Sequence, residues 1–484
     1  MATKDAKPTR ATVALVLLIL INLFNYIDRQ VLSAVESRIE ETFFPEADFP
    51  YKPLTEEQKA EQDKGEKVVR VREDPTIEGQ MGFLNTAFMV TYILIAPLFG
   101  LLADRMPRWT LVGIGVIGWS LATGATGLAG TFAVMVLTRC LVGVGEAAYG
   151  PVAPTMISDL YPVEKRGKMM SYFYAAIPVG SALGYVLGGQ MTSLAAYFSL
   201  PGAEEGGDWR WAFYVVVPPG LLLGLWCFFM REPSRSPGAS EAPASATGIV
   251  AGEPPIVPAK DDAPTPRKAT WADYMMILQT PSYLLNTLGM TAMTFALGGM
   301  AFWMPRFAFN RGAGGLDFVN TVFGLIVVVS GLLATMIGGM TGDWLRQKLA
   351  GAYFFVAAVG MTLAFPLTLC AIYVPFPFAW IFVFLACFCL FFNVGPTNTI
   401  LANVTHPSIR ASAFAMNILI IHAFGDAISP MVIGFVNGYA GDMSAGFFLV
   451  SLFCLVSAGF WLLGMRYLKA DTDRVEAATH PGKP

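Results

Sequence analysis

Two carboxylates and two guanidiniums stand in stretches otherwise built of apolar residues: Asp28 and Arg29 in one, Arg139 and Glu146 in another. Seven residues advance a helix by nearly two turns, so Arg139 and Glu146 leave one face about 10 Å apart along the axis. Adjacent residues diverge by about 100°, so one of Asp28 and Arg29 can face a cavity while the other meets a neighbouring helix. A charge in hydrocarbon costs at least about 2.5 kcal/mol, and such residues therefore face a bundle interior or a wet cavity. A carboxylate in such a place can take up a proton under the control of a nearby guanidinium. The expected chemistry is proton uptake at Asp28 and Glu146 and binding of an anionic head at Arg29 and Arg139. Glu146, near the middle of its span, stands for both tasks, and Tyr149 could hydrogen-bond either it or the bound molecule. Two purely structural roles compete: a local Asp28–Arg29 ion pair, and a tie from Arg139 to carbonyls of the first helix.

Other polar residues at membrane depth are Asn393, Thr397, Asn398 and His422. His422 lies about eleven residues past the start of its span, roughly 16 Å in, where it could ligate a headgroup, relay a proton or be a satisfied structural histidine. Among Tyr172, Phe173 and Tyr174, at least one is expected to line the cavity, with Phe173 as the candidate. Asp104, Arg105 and Arg108 close one apolar stretch and Asp159 closes another on the same side; an Arg105–Asp159 latch would shut an inner gate, the alternative being charge that only sets topology. Gly180, Gly184, Gly188 and Gly189 recur near helical spacing and permit close helix contact, either as generic packing or as a sliding interface. The second half of the chain otherwise supplies Phe, Met and Leu, suited to an acyl chain.

Holding these residues in place requires membrane-spanning helices. Of 484 residues, 55% are hydrophobic and 14% charged, where a soluble protein carries about a quarter charged residues; mean hydropathy is +0.54. The chain is read as an all-α polytopic membrane protein. A net charge of -3 argues nothing about nucleic acid or acidic partners, and no nucleic-acid partner is expected. All six cysteines lie in apolar segments, the spacing of Cys387 and Cys389 is poor for a shared metal, and the three histidines are scattered, so neither a disulfide framework nor a metal site is expected. No Walker-type loop is present, which disfavours ATP-driven pumping; the expected driving force is a proton gradient, with no cofactor and no enzymatic activity.

At about twenty residues per span, twelve spans fit, near 11–36, 79–103, 109–129, 131–160, 168–196, 210–230, 281–308, 318–344, 350–373, 377–403, 411–438 and 444–467. Lys4, Lys7 and Arg10 precede the first apolar run, which mimics a signal peptide but runs past Tyr26 and is read as an uncleaved span. Lys and Arg cluster on one side of this arrangement, which the positive-inside bias makes cytoplasmic, with both termini there. The polar stretch 38–78 is then an external, solvated, partly helical loop. The Pro-, Ala-, Ser- and Gly-rich stretch 232–270 reads as a flexible cytoplasmic linker between six-helix halves at 1–231 and 271–470, with a cytoplasmic tail at 471–484. The halves echo each other: GLLADR at 100–105 and GMTGDW at 339–344 close corresponding spans. Parallel halves around a midplane site describe a large class of secondary transporters.

GLLADRMPR at 100–108 resembles the major facilitator superfamily loop motif, with Pro107 in place of its glycine, and RCLVGVGE at 139–146 resembles that superfamily's helix-four motif. More narrowly, NYIDR (25–29), GEAAYGPVAPTMISDL (145–160), FYAAIPVGSALGYVLGG (173–189) and WRWAF (209–213) together resemble Spinster transporters. The resemblance implies a multi-pass, monomeric protein of the cell (inner) membrane, surrounded by membrane lipids. It implies alternating access and transport of lysolipid or sphingoid-type amphiphiles, often proton-linked. On this reading ionised Asp28 and Glu146 hold Arg29 and Arg139, and protonation frees the arginines for a phosphate or carboxylate head. A proton-coupled symporter of small organic or sugar-acid anions, and a non-transporting scaffold or sensor, are the competing readings.

Overall fold

The structure, a computed structural model, describes residues 8–53, 59, 72–161, 163–202, 208–233 and 270–479, without the side chains of 8–10, 104, 163, 164, 167, 411 and 479. The expected linker therefore lies, at 234–269, outside the described residues, as do much of the 38–78 loop and the last five residues of the tail. The first half comprises α1 (Pro8–Phe43), α2 (Ile77–Arg105), α3 (Arg108–Gly127), α4 (Phe132–Ala147), α5 (Ala153–Leu160), α6 (Val163–Tyr197), α7 (Arg210–Tyr214) and α8 (Val217–Cys227). The second comprises α9 (Trp271–Gln279), α10 (Pro281–Asn310), α11 (Leu316–Leu345), α12 (Ala352–Tyr373), α13 (Ala379–Phe391), α14 (Val394–Asn403), α15 (Arg410–Ile421), α16 (Ser429–Ala440), α17 (Met443–Gly464) and α18 (Leu468–Thr479).

Among the described residues, eleven helices are long and apolar enough to cross a membrane. The stretch expected as a single span at 131–160 is instead two short helices, α4 and α5, separated by a turn at 148–152. Pro151 lacks the N–H that a continuous helix would use, and the break falls just beyond Glu146. α2 ends where Met106 becomes extended (φ -118, ψ 160) ahead of Pro107, as sterics before proline require. α1 runs seven residues past the expected end of its span, because Glu36 and Glu40 find buried partners described below. Part of the expected tail is helical: in α18, Asp471 is 3% exposed and accepts from the backbone N–H of Ser282 at 3.0 Å.

α1 lies along α6, and α4 is flanked by α2 and α3. The halves meet where α2 packs on α16 and α6 on α11. Backbones touch at this seam: a Cβ on Gly82 would lie 2.2 Å from the Pro430 carbonyl oxygen, and one on Gly434 2.2 Å from that of Glu78. Tyr185 donates its hydroxyl to Ala301 O (2.6 Å), Asn320 its amide to Ala34 O (2.9 Å), and Thr86 its hydroxyl to Ala427 O (2.6 Å). On the positive-inside assignment, the hydrogen bonds and ion pairs joining the halves among the described residues all lie from the membrane middle outward. One apolar core runs through both halves, including Val31, Val35, Tyr185, Met300 and Phe323, and continues to Tyr283, Tyr353 and Ile409 at the other end of the second half. A second, including Leu17, Val112, Tyr149 and Phe173, fills the inner part of the first half. On that assignment, the contacts between the halves lie on the outer side of the seam.

The glycines of α6 divide between two tasks. A Cβ on Gly180 or Gly184 would lie within 2.6 Å of the Leu23 or Ile27 carbonyl oxygen, and one on Gly188 2.5 Å from the Ala34 Cβ, all on α1 within the same half. Gly189 alone of the four meets the other half, at Asn320.

Candidate functional site

Arg29 of α1 and Glu146 of α4 form a buried ion pair. Arg29 Nε donates to Glu146 Oε2 at 2.8 Å and Nη2 approaches the same oxygen at 2.7 Å, with side chains 6% and 0% exposed. Three rings surround the guanidinium: Tyr26 and Phe88 at 5.0 Å and Tyr92 at 5.5 Å from their centroids. Stacked rings hold the guanidinium through their π faces and exclude water, which strengthens a charge-assisted bond.

Asp28, one residue earlier, points elsewhere, as the 100° step between neighbours demands. It is 2% exposed, beside Trp119 and Thr123 of α3 and within the field of Glu146 and Arg139. No local Asp28–Arg29 pair forms. Arg139 is 1% exposed, its guanidinium 5.4 Å from the Phe88 ring centroid. Its Nε and Nη1 have no hydrogen-bond partner, whereas Asp28 faces the polar groups of Trp119 and Thr123 and Glu146 faces the Asn25 amide. The expectation that both arginines are held by carboxylates is therefore corrected: Glu146 holds Arg29, and Arg139 is steered electrostatically without a direct carboxylate bond. The result is a dry site at the heart of one half with two acids, two guanidiniums, an amide and unused hydrogen-bonding capacity. Such capacity is costly to bury and marks a place prepared for a ligand or proton.

The other expected residues fall into different settings. Tyr149 does not reach Glu146; its hydroxyl donates to the Leu18 carbonyl at 2.6 Å, which ties the turn after α4 to α1. Phe173 is 2% exposed and packs against Tyr149 and Tyr174, with centroids at 6.3 and 5.1 Å, in the inner apolar core. Asn393 donates to Cys389 O at 2.9 Å, and Thr397 donates to Asn393 O at 2.8 Å; both are fully buried. His422 opens a π-helical turn, His422–Asp426, and its Nδ1 lies 2.8 Å from Asp426 Oδ1.

Asp426 escaped notice in the sequence, although it stands one turn from His422. Its backbone carbonyl accepts from Asn85 of the first half at 3.3 Å, and its charge reaches Tyr26, so the His–Asp pair borders the arginine site across the seam. Asn25, Tyr26, Phe88 and Tyr92 were also missed, since an aromatic in an apolar helix carries no mark of its neighbour. Between the halves, a narrow crevice is lined by Gln30, Ser181 and Tyr185 on one side and Met300, Val327 and Phe391 on the other. The polar wall belongs to the first half and the apolar wall to the second.

At the inner ends, Asp159 pairs with Arg108, not with Arg105: Arg108 Nη1 donates to Asp159 Oδ2 at 2.6 Å and its Nε to Glu232 Oε1 at 2.7 Å. Arg105 is exposed, and the side chain of Asp104 lies outside the described residues. Arg108 follows Pro107 at the start of α3, so its side chain projects back toward α5 and the residues following α8, whereas Arg105 ends α2. These bonds stay within the first half. They brace that half and do not close a gate between halves.

Two bundles joined along paired helices, with a dry charged site in one and a seam whose contacts lie on its outer side, define a secondary transporter. Residues 18–430 match the Major Facilitator Superfamily. The chain is 32% identical over 445 residues to rat (Rattus norvegicus) protein spinster homolog 1, covering 88% of this chain and 73% of that one. It is 32% identical over 431 residues to a sphingosine-1-phosphate transporter of Danio rerio, covering 83% and 79%. A solved bacterial homolog of the human lysosomal transporter Spinster, inward-facing and occupied, superposes with a TM-score of 0.72 at 20% identity over 96% of this chain and 99% of that one. A D-xylose–proton symporter shares the fold at a TM-score of 0.65 and 16% identity, over 93% and 97%. The chain belongs to the Spinster family of the Major Facilitator Superfamily and is a multi-pass membrane transporter.

Proposed function

We propose that this transporter moves an amphiphilic anion or zwitterion of lysolipid or sphingoid type, and that protons drive the exchange of its conformations. The observation that carries the reading is the buried Arg29–Glu146 pair, with the buried Asp28 and Arg139 within its field in the same half. Protonating Glu146 cancels the charge that holds Arg29, leaves its guanidinium seated over Tyr26, Phe88 and Tyr92, and releases the donors that served Glu146 to an anionic head. Arg139, two of whose nitrogens have no hydrogen-bond partner, adds a second set. Asp28 feels both Glu146 and Arg139, so its protonation and that of Glu146 are linked. The chain of an amphiphile would lie against Met300, Val327 and Phe391. The Danio rerio relative, a sphingosine-1-phosphate transporter, supports the same class of cargo.

The test is reconstitution in liposomes with lysolipids, sphingoid phosphates and sugar acids, each with and without a pH gradient. Flux of the first two classes that rises with the gradient is expected. Flux of sugar acids alone would replace this reading with that of a small-anion symporter, and no flux of any class would leave a scaffold or sensor.

A further inference from the structure

The outer end of the seam carries a second buried charge cluster, remote from Arg29 and Glu146. Arg306, near the outer end of α10, is the sole contribution of the second half to its ion pairs among the described residues. Its Nη1 bonds Glu36 Oε1 at 2.9 Å and also Glu40 Oε2, while Nη2 lies 3.7 Å from Glu78 Oε1. Arg72, where the external loop returns, bonds Glu40 Oε1 at 3.2 Å and the Phe49 carbonyl at 2.6 Å, its guanidinium 3.9 Å from the Tyr51 ring centroid. The side chains of Glu36, Glu40 and Arg72 are at most 4% exposed, and those of Arg306 and Glu78 are 10% and 13% exposed.

The charges in this cluster do not balance. Three carboxylates share two guanidiniums, and Glu40 takes a bond from each. Glu36 Oε2 is buried with no hydrogen-bond partner, and Glu78 faces the neutral side-chain amide of Asn437. Among the described residues, the other groups in reach do not supply the missing charge. Trp303 of α10 and Asn437 of α16 are neutral, and Tyr51 contributes a neutral ring. Asp442, which acts on Glu78, is itself faced by Arg311, and Glu41 lies farther out, paired with Arg38 at 3.4 Å. A surplus carboxylate in a dry site is neutralised by a proton at far less cost than it can be kept charged. In an arrangement with the outer seam open, Arg306 departs with the second half, and the carboxylates of the first half meet outer water, where all three ionise.

We infer that the Glu36–Glu78–Arg306 cluster is a proton-binding site of the outer gate: closing the gate takes one proton from the outer solution, and opening returns it. The gate is then biased by outer pH independently of the central arginine site. One bound proton per closure shifts the open-to-closed ratio by up to about tenfold per pH unit, with acid favouring the closed, inward-facing arrangement.

The experiment uses the full-length protein in liposomes carrying Ser33→Cys, a near-isosteric reporter on the α1 face between Arg29 and Glu36. A membrane-impermeant maleimide is added outside at pH 5.5 to 8, and rates are normalised to the exposed control Asp48→Cys to remove the pH dependence of the thiol. Normalised labelling should rise severalfold from pH 5.5 to 8. Either Glu36→Gln or Glu78→Gln balances the charges, so either should label slowly with a flat pH profile, whereas Arg72→Gln, which enlarges the imbalance, should steepen it. Glu146→Gln, which acts at the central site, should change the overall level of labelling and retain a rise with outer pH. A flat wild-type profile, or an unchanged slope in both glutamine variants, would overturn the inference. So would loss of the slope in Glu146→Gln alone, which would place the response at the centre.

Discussion

Arg29 of α1 and Glu146 of α4 meet at 2.7 Å, 117 residues apart in sequence and sealed by three aromatic rings. An ion pair this dry is a poor source of stability and a good switch, since removing either charge exposes the other to an environment that cannot solvate it. Glu146→Ala should therefore destabilise the fold by about 3–5 kcal/mol, seen as a lower midpoint in detergent unfolding. Glu146→Gln keeps the shape and a hydrogen-bond acceptor, so it should fold well and lose the response of flux to a pH gradient. Full gradient-driven flux in both Glu146→Gln and Asp28→Asn would sink the proposed coupling.

Tyr149 offers a contrast one turn away. Its hydroxyl serves the Leu18 carbonyl, so Tyr149→Phe should cost about 0.5–1.5 kcal/mol of stability and leave the apparent KM for cargo unchanged. A large rise in KM with stability intact would restore a direct role in binding.

Arg108 and Arg105 are three residues apart and should behave oppositely. Arg108→Ala removes a buried charge partner of Asp159, which is 1% exposed, and should cost about 3–5 kcal/mol. Arg105→Ala, on the surface, should fall within about 0.5 kcal/mol of wild type. Equal thermal shifts for the two would contradict the bracing role of Arg108.

The outer seam depends on bare backbone. Gly82→Val adds a Cβ where 2.2 Å separates it from Pro430 O, and should penalise the closed seam by about 1–3 kcal/mol or more. That is about a 5–150-fold shift toward outward opening, readable as faster outer labelling at Ser33→Cys. Labelling at the wild-type rate would show that the seam relaxes around the side chain.

Much of this was written in the order of residues. Apolar runs, the basic clusters between them and the paired motifs near 100–105 and 339–344 announced a two-part helical transporter, and the signatures at 145–160 and 173–189 announced its family. The charged residues of the site were legible for the same reason: in a chain that shuns charge inside its spans, Asp28, Arg29, Arg139 and Glu146 stand out. His422 was visible, yet Asp426, four residues on, was not, because the π-helical turn that joins them has no sequence mark. The break after Glu146 was missed although Pro151 stands there, since proline also occurs inside the unbroken helices α6 and α12.

Sequence by itself determined which side chains must be hidden from lipid, because the cost of a charge in hydrocarbon depends on its chemistry and scarcely on its neighbours. Partnership was decided only by tertiary structure. Arg29 could have paired with Asp28 and pairs with Glu146; Asp159 could have met Arg105 and meets Arg108; Glu36, Glu40 and Glu78 find Arg306 in the other half. An ion pair is won by distance and direction at the scale of an ångström, and those are set by how helices far apart in the chain cross, which no local spacing encodes.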